Sequence, residues 1–159
     1  MHANWTSVSA AADDGPPAPR FAPVQGDVVA VVAVGGALGS LGRWALSLGL
    51  DASPGRFPWA TFVENVSGGF ALGVLMVLVL DVWPASRYVR PFFGVGILGG
   101  YTTFSTYMLD TRSLVVDDHL LLAAVYLLGT LVAGLASVWA GVVVARRIAD
   151  DRPTSGTAS

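Results

Sequence analysis

The 159-residue sequence contains no cysteine and no lysine, and it has only two histidines. The missing cysteines exclude disulfide bonds, thiolate metal sites and cysteine nucleophiles. The two histidines lie far apart, so they provide no ligand cluster for a metalloenzyme. Only 13% of the residues are charged, whereas about a quarter are charged in an average soluble domain. No basic patch exists, so nothing indicates nucleic-acid binding.

The sequence has instead a high content of apolar residues, 53%, which places it in the membrane class. Four apolar segments cover residues 28–50, 59–80, 90–113 and 120–145. Each is at least as long as the ~20 residues that cross a bilayer core as a helix. We therefore predict an all-α integral membrane protein whose four transmembrane helices form one domain at 27–148. Residues 1–26 have the composition of a disordered tail, and 149–159 form a polar C-terminal tail.

The third segment is a poor sequence for a continuous lipid-facing helix. Residues 94–110 contain four glycines, two adjacent threonines and a carboxylate. This composition predicts a helix that breaks within the membrane, which is tolerated only where the break is buried in protein or lines a water-filled cavity. We expect the functional site at this break.

Polar residues on the first two segments are candidates for the same site. Arg43 either extends to the membrane interface or faces an aqueous vestibule, where it would attract anions. Thr61 and Asn65 share a helix face, and the amide of Asn65 can either bond between helices or donate to an anion. Glu64 either pairs with Arg43 or lies near solvent.

Two stripes follow the break on the third segment. Phe104, Tyr107 and Asp110 form an aromatic and acidic stripe, and Thr106 belongs to an overlapping polar one. The positive edge of an aromatic ring can meet a small anion. Carbonyls released at residues 99–102 would instead favour a cation. The combination indicates an ion-handling site.

Small residues recur at four-residue spacing, which allows helix backbones to approach closely. The pairs are Gly35 and Gly39, Gly69 and Gly73, Gly96 and Gly100, and Gly129 and Ala133. Because four helices enclose little pore by themselves, we expect an oligomer.

The distribution of arginine predicts the orientation of the chain. Six arginines flank the side of the membrane where the termini lie, and two flank the other side. The six are Arg20, Arg87, Arg90, Arg146, Arg147 and Arg152, and the two are Arg56 and Arg112. The positive-inside rule then predicts cytoplasmic termini in the cell membrane.

Three sequence blocks resemble those of the CrcB/Fluc fluoride channels. They are GGALGSLGRW at 35–44, ATFVENVSG at 60–68 and GGYTTFSTY at 99–107. The third block is the most specific of them. The resemblance covers nearly everything between the tails.

The resemblance implies an antiparallel, dual-topology dimer that lets cytoplasmic fluoride leave the cell passively and so lowers its toxicity. A structural Na⁺ at the dimer centre would be held by the backbone carbonyls of Gly99 and Thr102. By position, the fluoride pathway would include two ring-edge residues, the pore asparagine, a hydroxyl-rich track and the vestibule arginine. These positions correspond to Phe104, Tyr107, Asn65, Thr61, Ser105, Thr106, Asp110 and Arg43.

Three residues depart from the family pattern. Tyr107 replaces a phenylalanine, and its hydroxyl would narrow the pathway, donate to fluoride or disable one route. Glu64 replaces an apolar residue, and Asp110 replaces a glutamate. The arginine bias fits a chain that inserts one way and pairs with an oppositely oriented paralogue, so homodimer and heterodimer both stay open. The alternatives are a proton-coupled exporter and a non-conducting subunit of a heterodimeric channel.

Overall fold

The computed structural model describes residues 26–50, 53, 55–79 and 87–150, and these are helical apart from their connections. Three helices are long and apolar enough to cross a membrane: α1 (Gly26–Gly49), α2 (Trp59–Val77) and α5 (Leu120–Asp150). The tails predicted at 1–26 and 149–159 lie outside the described residues, except for positions 26, 149 and 150. These three positions belong to α1 and α5.

The third apolar segment is interrupted, as the sequence predicts. It consists of a π-helical segment (Arg90–Leu98), one helical turn, α3 (Gly99–Tyr101), and then α4 (Phe104–Val116). Together with α1, α2 and α5 it completes an all-α, four-segment membrane fold. The last helix runs to Asp150, five residues past the predicted end at 145. At about 1.5 Å per residue, its 31 residues exceed the ~30 Å core, so its polar end extends beyond the apolar layer.

Helix α1 packs against the π-helical segment and α3 through glycines. A Cβ atom on Gly96 would lie 2.9 Å from the Cα of Gly35, and one on Gly39 would overlap the backbone carbonyl of Ile97. These contacts leave no room for a side chain. The close approach predicted from the glycine spacing is therefore present at this interface.

Helices α2 and α5 meet in the same manner. A Cβ atom on Gly141 would lie 3.1 Å from the backbone nitrogen of Val74, and one on Gly73 would overlap the backbone of Val138. Gly129 differs, because a Cβ atom there would have no described heavy atom within 4 Å. Within the described residues, Gly129 therefore does not serve close backbone packing against another helix.

Polar groups join the beginning of α1 to the beginning of the third segment. Arg87 forms an ion pair with Asp27 at 2.7 Å, and the Tyr88 hydroxyl donates to the same carboxylate at 2.7 Å. Because the bound carboxylate stabilises the protonated phenol, the pKa of Tyr88 is raised. This contact fixes one end of the interrupted segment.

Candidate functional site

The interruption of the third segment lies at two threonines. Helix α3 ends at Tyr101, and Thr102 and Thr103 have extended backbones, with φ/ψ of −83°/155° and −145°/125°. Their hydroxyls satisfy nearby backbone groups: Thr102 donates to the carbonyl of Leu98 at 2.8 Å, and Thr103 accepts from the N–H of Thr106 at 3.1 Å. Thr103 is thus the N-cap of α4.

The prediction of a break is confirmed, but the break lies at the threonine end of the expected 99–102 stretch and continues to Thr103, and glycine does not cause it. The glycines at 99 and 100 remain helical. Gly100 lies directly against the backbone of Gly36 on α1, so it serves close packing. The residues that leave the helix are β-branched threonines, whose hydroxyls compete for backbone partners.

Asn65 on α2 holds the break in place. Its Nδ2 donates to the carbonyl of Thr103 at 3.0 Å, and its Oδ1 accepts from the N–H of Thr103 at 2.9 Å. This N–H is therefore directed to Asn65 and away from Gly99, four residues earlier. The Asn65 amide thus forms the hydrogen bonds between helices that were one of the two roles considered for it. One N–H of the amide is not used by Thr103.

A groove of about 310 Å³ begins at this break. Its polar lining consists of Asn65, Thr102, Thr103 and Thr130, and its rings are Phe104 and Tyr107. The Phe104 side chain is 74% exposed. The groove therefore presents amide, hydroxyl and ring atoms at the surface of the subunit.

Tyr107 is held differently from Phe104, although their ring centroids lie 6.0 Å apart. Its residue surface is 8% exposed, and its hydroxyl donates to the backbone carbonyl of Leu127 on α5. The sequence analysis considered that the extra hydroxyl would narrow the pathway, donate to fluoride or disable one route. This geometry favours none of the three. The hydroxyl instead links α4 to α5.

A second cavity, of about 690 Å³, lies between α1, α2 and α4, and we call it the vestibule. Residues of the α1–α2 connection also line it. Arg43 faces this cavity, and its Nε is buried without a hydrogen-bond partner. Glu64 lines it too and is only 2% exposed. No ion pair within 4.0 Å joins these two described residues, so the pairing considered for Glu64 is absent.

Asp110 is the centre of a hydrogen-bond network at the vestibule wall. Its Oδ2 accepts from the hydroxyl of Thr61 at 2.7 Å and from the hydroxyl of Tyr126 at 3.1 Å. These groups come from α4, α2 and α5. The network joins three helices through one carboxylate oxygen, and both donors are buried.

The structure thus divides the predicted site residues between two cavities. Arg43, Thr61, Thr106 and Asp110 line the vestibule, whereas Asn65, Phe104 and Tyr107 line the groove. Ser105 is exposed and belongs to neither lining set.

The sequence reasoning missed two polar residues on α5, Tyr126 and Thr130. Tyr126 is fully buried, and the Oγ1 of Thr130 is buried beside the groove without a partner. They are four residues apart in an otherwise apolar run. That spacing on one helix face was the available signal.

The described residues include no group of three or more His, Cys, Asp or Glu side chains that could hold a metal ion. A cation at this site would instead need backbone oxygens. The extended Thr102 and Thr103 end the helical turn at Gly99–Tyr101, and Asn65 takes the N–H of Thr103. The carbonyl of Gly99 thus loses its usual helical N–H partner and is a hard oxygen donor of the kind that hard cations bind.

Comparison with known proteins identifies the family. Residues 30–142 match the family model described as "CrcB-like protein, Camphor Resistance (CrcB)". The chain is 49% identical over 127 residues to fluoride-specific ion channel FluC 2 of Nocardia farcinica, a match that covers 80% of this chain and 91% of the relative.

Two further relatives have the same type of name. Fluoride-specific ion channel FluC 1 of Streptomyces coelicolor is 50% identical over 124 residues, covering 78% of this chain and 80% of the relative. FluC 1 of Mycobacterium bovis is 42% identical over 120 residues, covering 76% and 91%. With its multi-pass helical fold and interrupted third segment, the chain belongs to the CrcB family.

Proposed function

We propose that this chain is a subunit of a fluoride-specific ion channel of the cell membrane and not an enzyme. Its relatives at about half identity carry that name. The observation that carries the proposal is the break at Thr102–Thr103, where amide, hydroxyl and ring-edge groups gather around an open groove. Fluoride is small and strongly hydrated, so a pore must replace its water with donors that still release it.

The path runs from the vestibule to the groove. Arg43 attracts the anion in the vestibule, and the hydroxyls of Thr61 and Thr106 line the next part of the wall. At the break, the free N–H of Asn65 and the ring edges of Phe104 and Tyr107 take the place of water. Ser105 and Asp110 complete the set of pathway residues, Asp110 by orienting the Thr61 hydroxyl.

A second subunit completes the channel. In one subunit the groove beside the extended Thr102–Thr103 backbone is open, and the polar groups of Asn65 and Thr130 line it together with Leu131 and Leu135. Extended backbone and polar groups cannot face lipid without cost. We therefore infer a dimer in which an oppositely oriented copy, or a paralogue, covers this groove.

The dimer would also provide a site for a structural Na⁺. Gly99 and Thr102 of each subunit would hold it through backbone carbonyls, and the ion would supply positive charge next to the anion path. Its presence is testable by stability. Protein purified without sodium should gain more thermal stability from added sodium than from added potassium; equal gains would remove sodium from the proposal.

Fluoride efflux from liposomes tests the function. The purified chain is reconstituted in vesicles that contain potassium fluoride or potassium chloride, with valinomycin present and no pH gradient, and anion release is followed with selective electrodes. We expect rapid fluoride release and retained chloride. In parallel vesicles with a pH gradient, proton-coupled movement of a lipophilic cation, together with no fluoride release in the first assay, would support the exporter instead.

The same vesicles distinguish the homodimer from the heterodimer. If this chain is silent alone and a co-reconstituted paralogue restores fluoride release, the chain is one subunit of a heterodimer. Accessibility of tags at both termini in cells gives an independent result. Equal numbers of both orientations indicate a homodimer, and a single cytoplasmic orientation indicates the paralogue.

A further inference from the structure

Among the described residues, the vestibule lining has more acidic than basic groups, which is unusual for the approach to an anion path. Its charged lining residues are Glu64, Asp110 and Asp117 against Arg43 and Arg56. The formal sum is −1, from three acids and two bases. Such a cavity does not concentrate anions by its total charge. The placement of the individual charges must therefore decide how fluoride is admitted.

The two inner acids have different surroundings. The Asp110 carboxylate accepts from Thr61 and Tyr126 through Oδ2. Glu64 is 2% exposed, yet no described side chain or backbone group donates to its carboxylate. Glu64 therefore has no neighbouring donor that offsets its charge within hydrogen-bond distance.

Arg43, which lines the same vestibule, also has an atom without a partner. Its Nε is buried and unpartnered, and no ion pair under 4.0 Å links it to Glu64. Arg43 comes from α1 and Glu64 from α2, and both line one cavity. Two opposite charges thus act on the same volume without cancelling each other through direct contact.

We propose that Glu64 sets the anion occupancy of the vestibule by opposing the attraction of Arg43 for fluoride. The proposal rests on the proposed fluoride conduction. Glu64 precedes Asn65 directly, so its charge acts on the anion shortly before the break. A unit charge several ångströms from an ion in a partly hydrated cavity changes local ion concentration several-fold. Glu64 thereby limits filling of the path at low fluoride.

Conductance of reconstituted channels in planar bilayers tests this role. It is measured against fluoride concentration at constant ionic strength with an impermeant anion, at pH about 8. In Glu64→Gln we expect the half-saturating fluoride concentration to fall about 3- to 10-fold, with the maximal conductance unchanged. Arg43→Gln should move it in the opposite direction.

Two controls distinguish an effect of the Glu64 charge from an effect of its side-chain shape. Glu64→Asp keeps the charge and should keep the wild-type half-saturating concentration to within about twofold. The effect of Glu64→Gln should also shrink in about 1 M salt, where the Debye length is about 3 Å compared with about 10 Å at 0.1 M. A change confined to maximal conductance would indicate a structural role and would overturn the proposal.

The failure of this proposal is distinguishable from failure of the proposed function. Wild-type channels that conduct fluoride, with no shift in Glu64→Gln or with a shift that persists in high salt, would overturn only the role of Glu64. Absence of fluoride conductance both from the wild-type chain alone and from the chain co-reconstituted with its paralogue would overturn the proposed function and this role together. Size-exclusion profiles of each variant confirm that it is folded.

Discussion

The two halves of the interrupted third segment are built by different means. The half before the break, Arg90–Tyr101, meets α1 backbone to backbone through glycines. The half after it, Phe104–Val116, meets α2 and α5 through hydroxyls, rings and a carboxylate. We call them the scaffold half and the pathway half. Two threonines and one asparagine side chain separate them.

This difference shows how a small membrane subunit combines rigidity with a polar site. Glycine contacts in the scaffold half bring helices together through dispersion forces and need no polar group. The pathway half can then keep polar groups that are satisfied by one another across three helices. We expect substitutions in the scaffold half to affect folding and those in the pathway half to affect transport.

The largest effect is expected in the scaffold half, for Gly39→Leu. A Cβ atom there already overlaps the carbonyl of Ile97, so the larger side chain must separate α1 from the third segment. We expect almost no folded protein by size-exclusion chromatography in detergent. Gly129→Leu is the matched control, because its Cβ meets no described atom within 4 Å. Equal recovery of the two variants would contradict the packing assigned to this half.

At the junction, Asn65→Asp should nearly abolish transport. The aspartate can still accept from the N–H of Thr103, but its second oxygen would face the carbonyl of Thr103, where the amide now donates. It would also place a negative charge beside the groove. We expect fluoride efflux from liposomes to fall about 100-fold or more. A folded variant with wild-type efflux would remove Asn65 from the pathway.

In the pathway half, Asp110→Ala should destabilise the fold. It leaves the buried hydroxyls of Thr61 and Tyr126 without their acceptor, at a cost of roughly 1–3 kcal/mol for each unsatisfied group. Asp110→Asn is the matched control, because its amide oxygen can still accept. We expect a clear drop in thermal transition only for the alanine. Similar transitions would show that the network contributes little.

The smallest effect is expected for Tyr107→Phe. The variant loses the hydrogen bond to the carbonyl of Leu127, which stabilises the fold by about 1 kcal/mol. The ring stays in place, so fluoride efflux should remain within about twofold of the wild type. Thermal denaturation and efflux are compared on the same preparation. A large change in efflux would mean that the hydroxyl itself acts on fluoride.

Much of this fold could be predicted from the sequence. Long apolar segments, short polar connections and glycine spacing are local features, and they predict four segments and close helix contacts. The exact place of the break could not be read in the same way. Glycine composition suggested 99–102, but the packing of Gly100 against Gly36 keeps this turn helical. Only the tertiary contact shows which role a glycine has.

The sequence predicted several residues of the candidate site but not the hydrogen bonds between them. Polar residues within membrane segments marked Asn65, Thr61 and Asp110. Their partners lie on other helices, and Asp110 bonds to Tyr126 on α5, which the sequence analysis did not select. The direction of the Tyr107 hydroxyl likewise depends on the position of Leu127. Such pairings require the relative placement of helices.

One measurement tests most directly whether fluoride passes along the pathway half and not the scaffold half. Phe104→Ile and Phe93→Ile each replace an exposed phenylalanine, one in each half, with side chains 74% and 39% exposed. Neither change should disturb the subunit core. In liposomes we predict that Phe104→Ile loses most fluoride efflux and that Phe93→Ile keeps it. Equal efflux from the two folded variants would contradict the division of the segment.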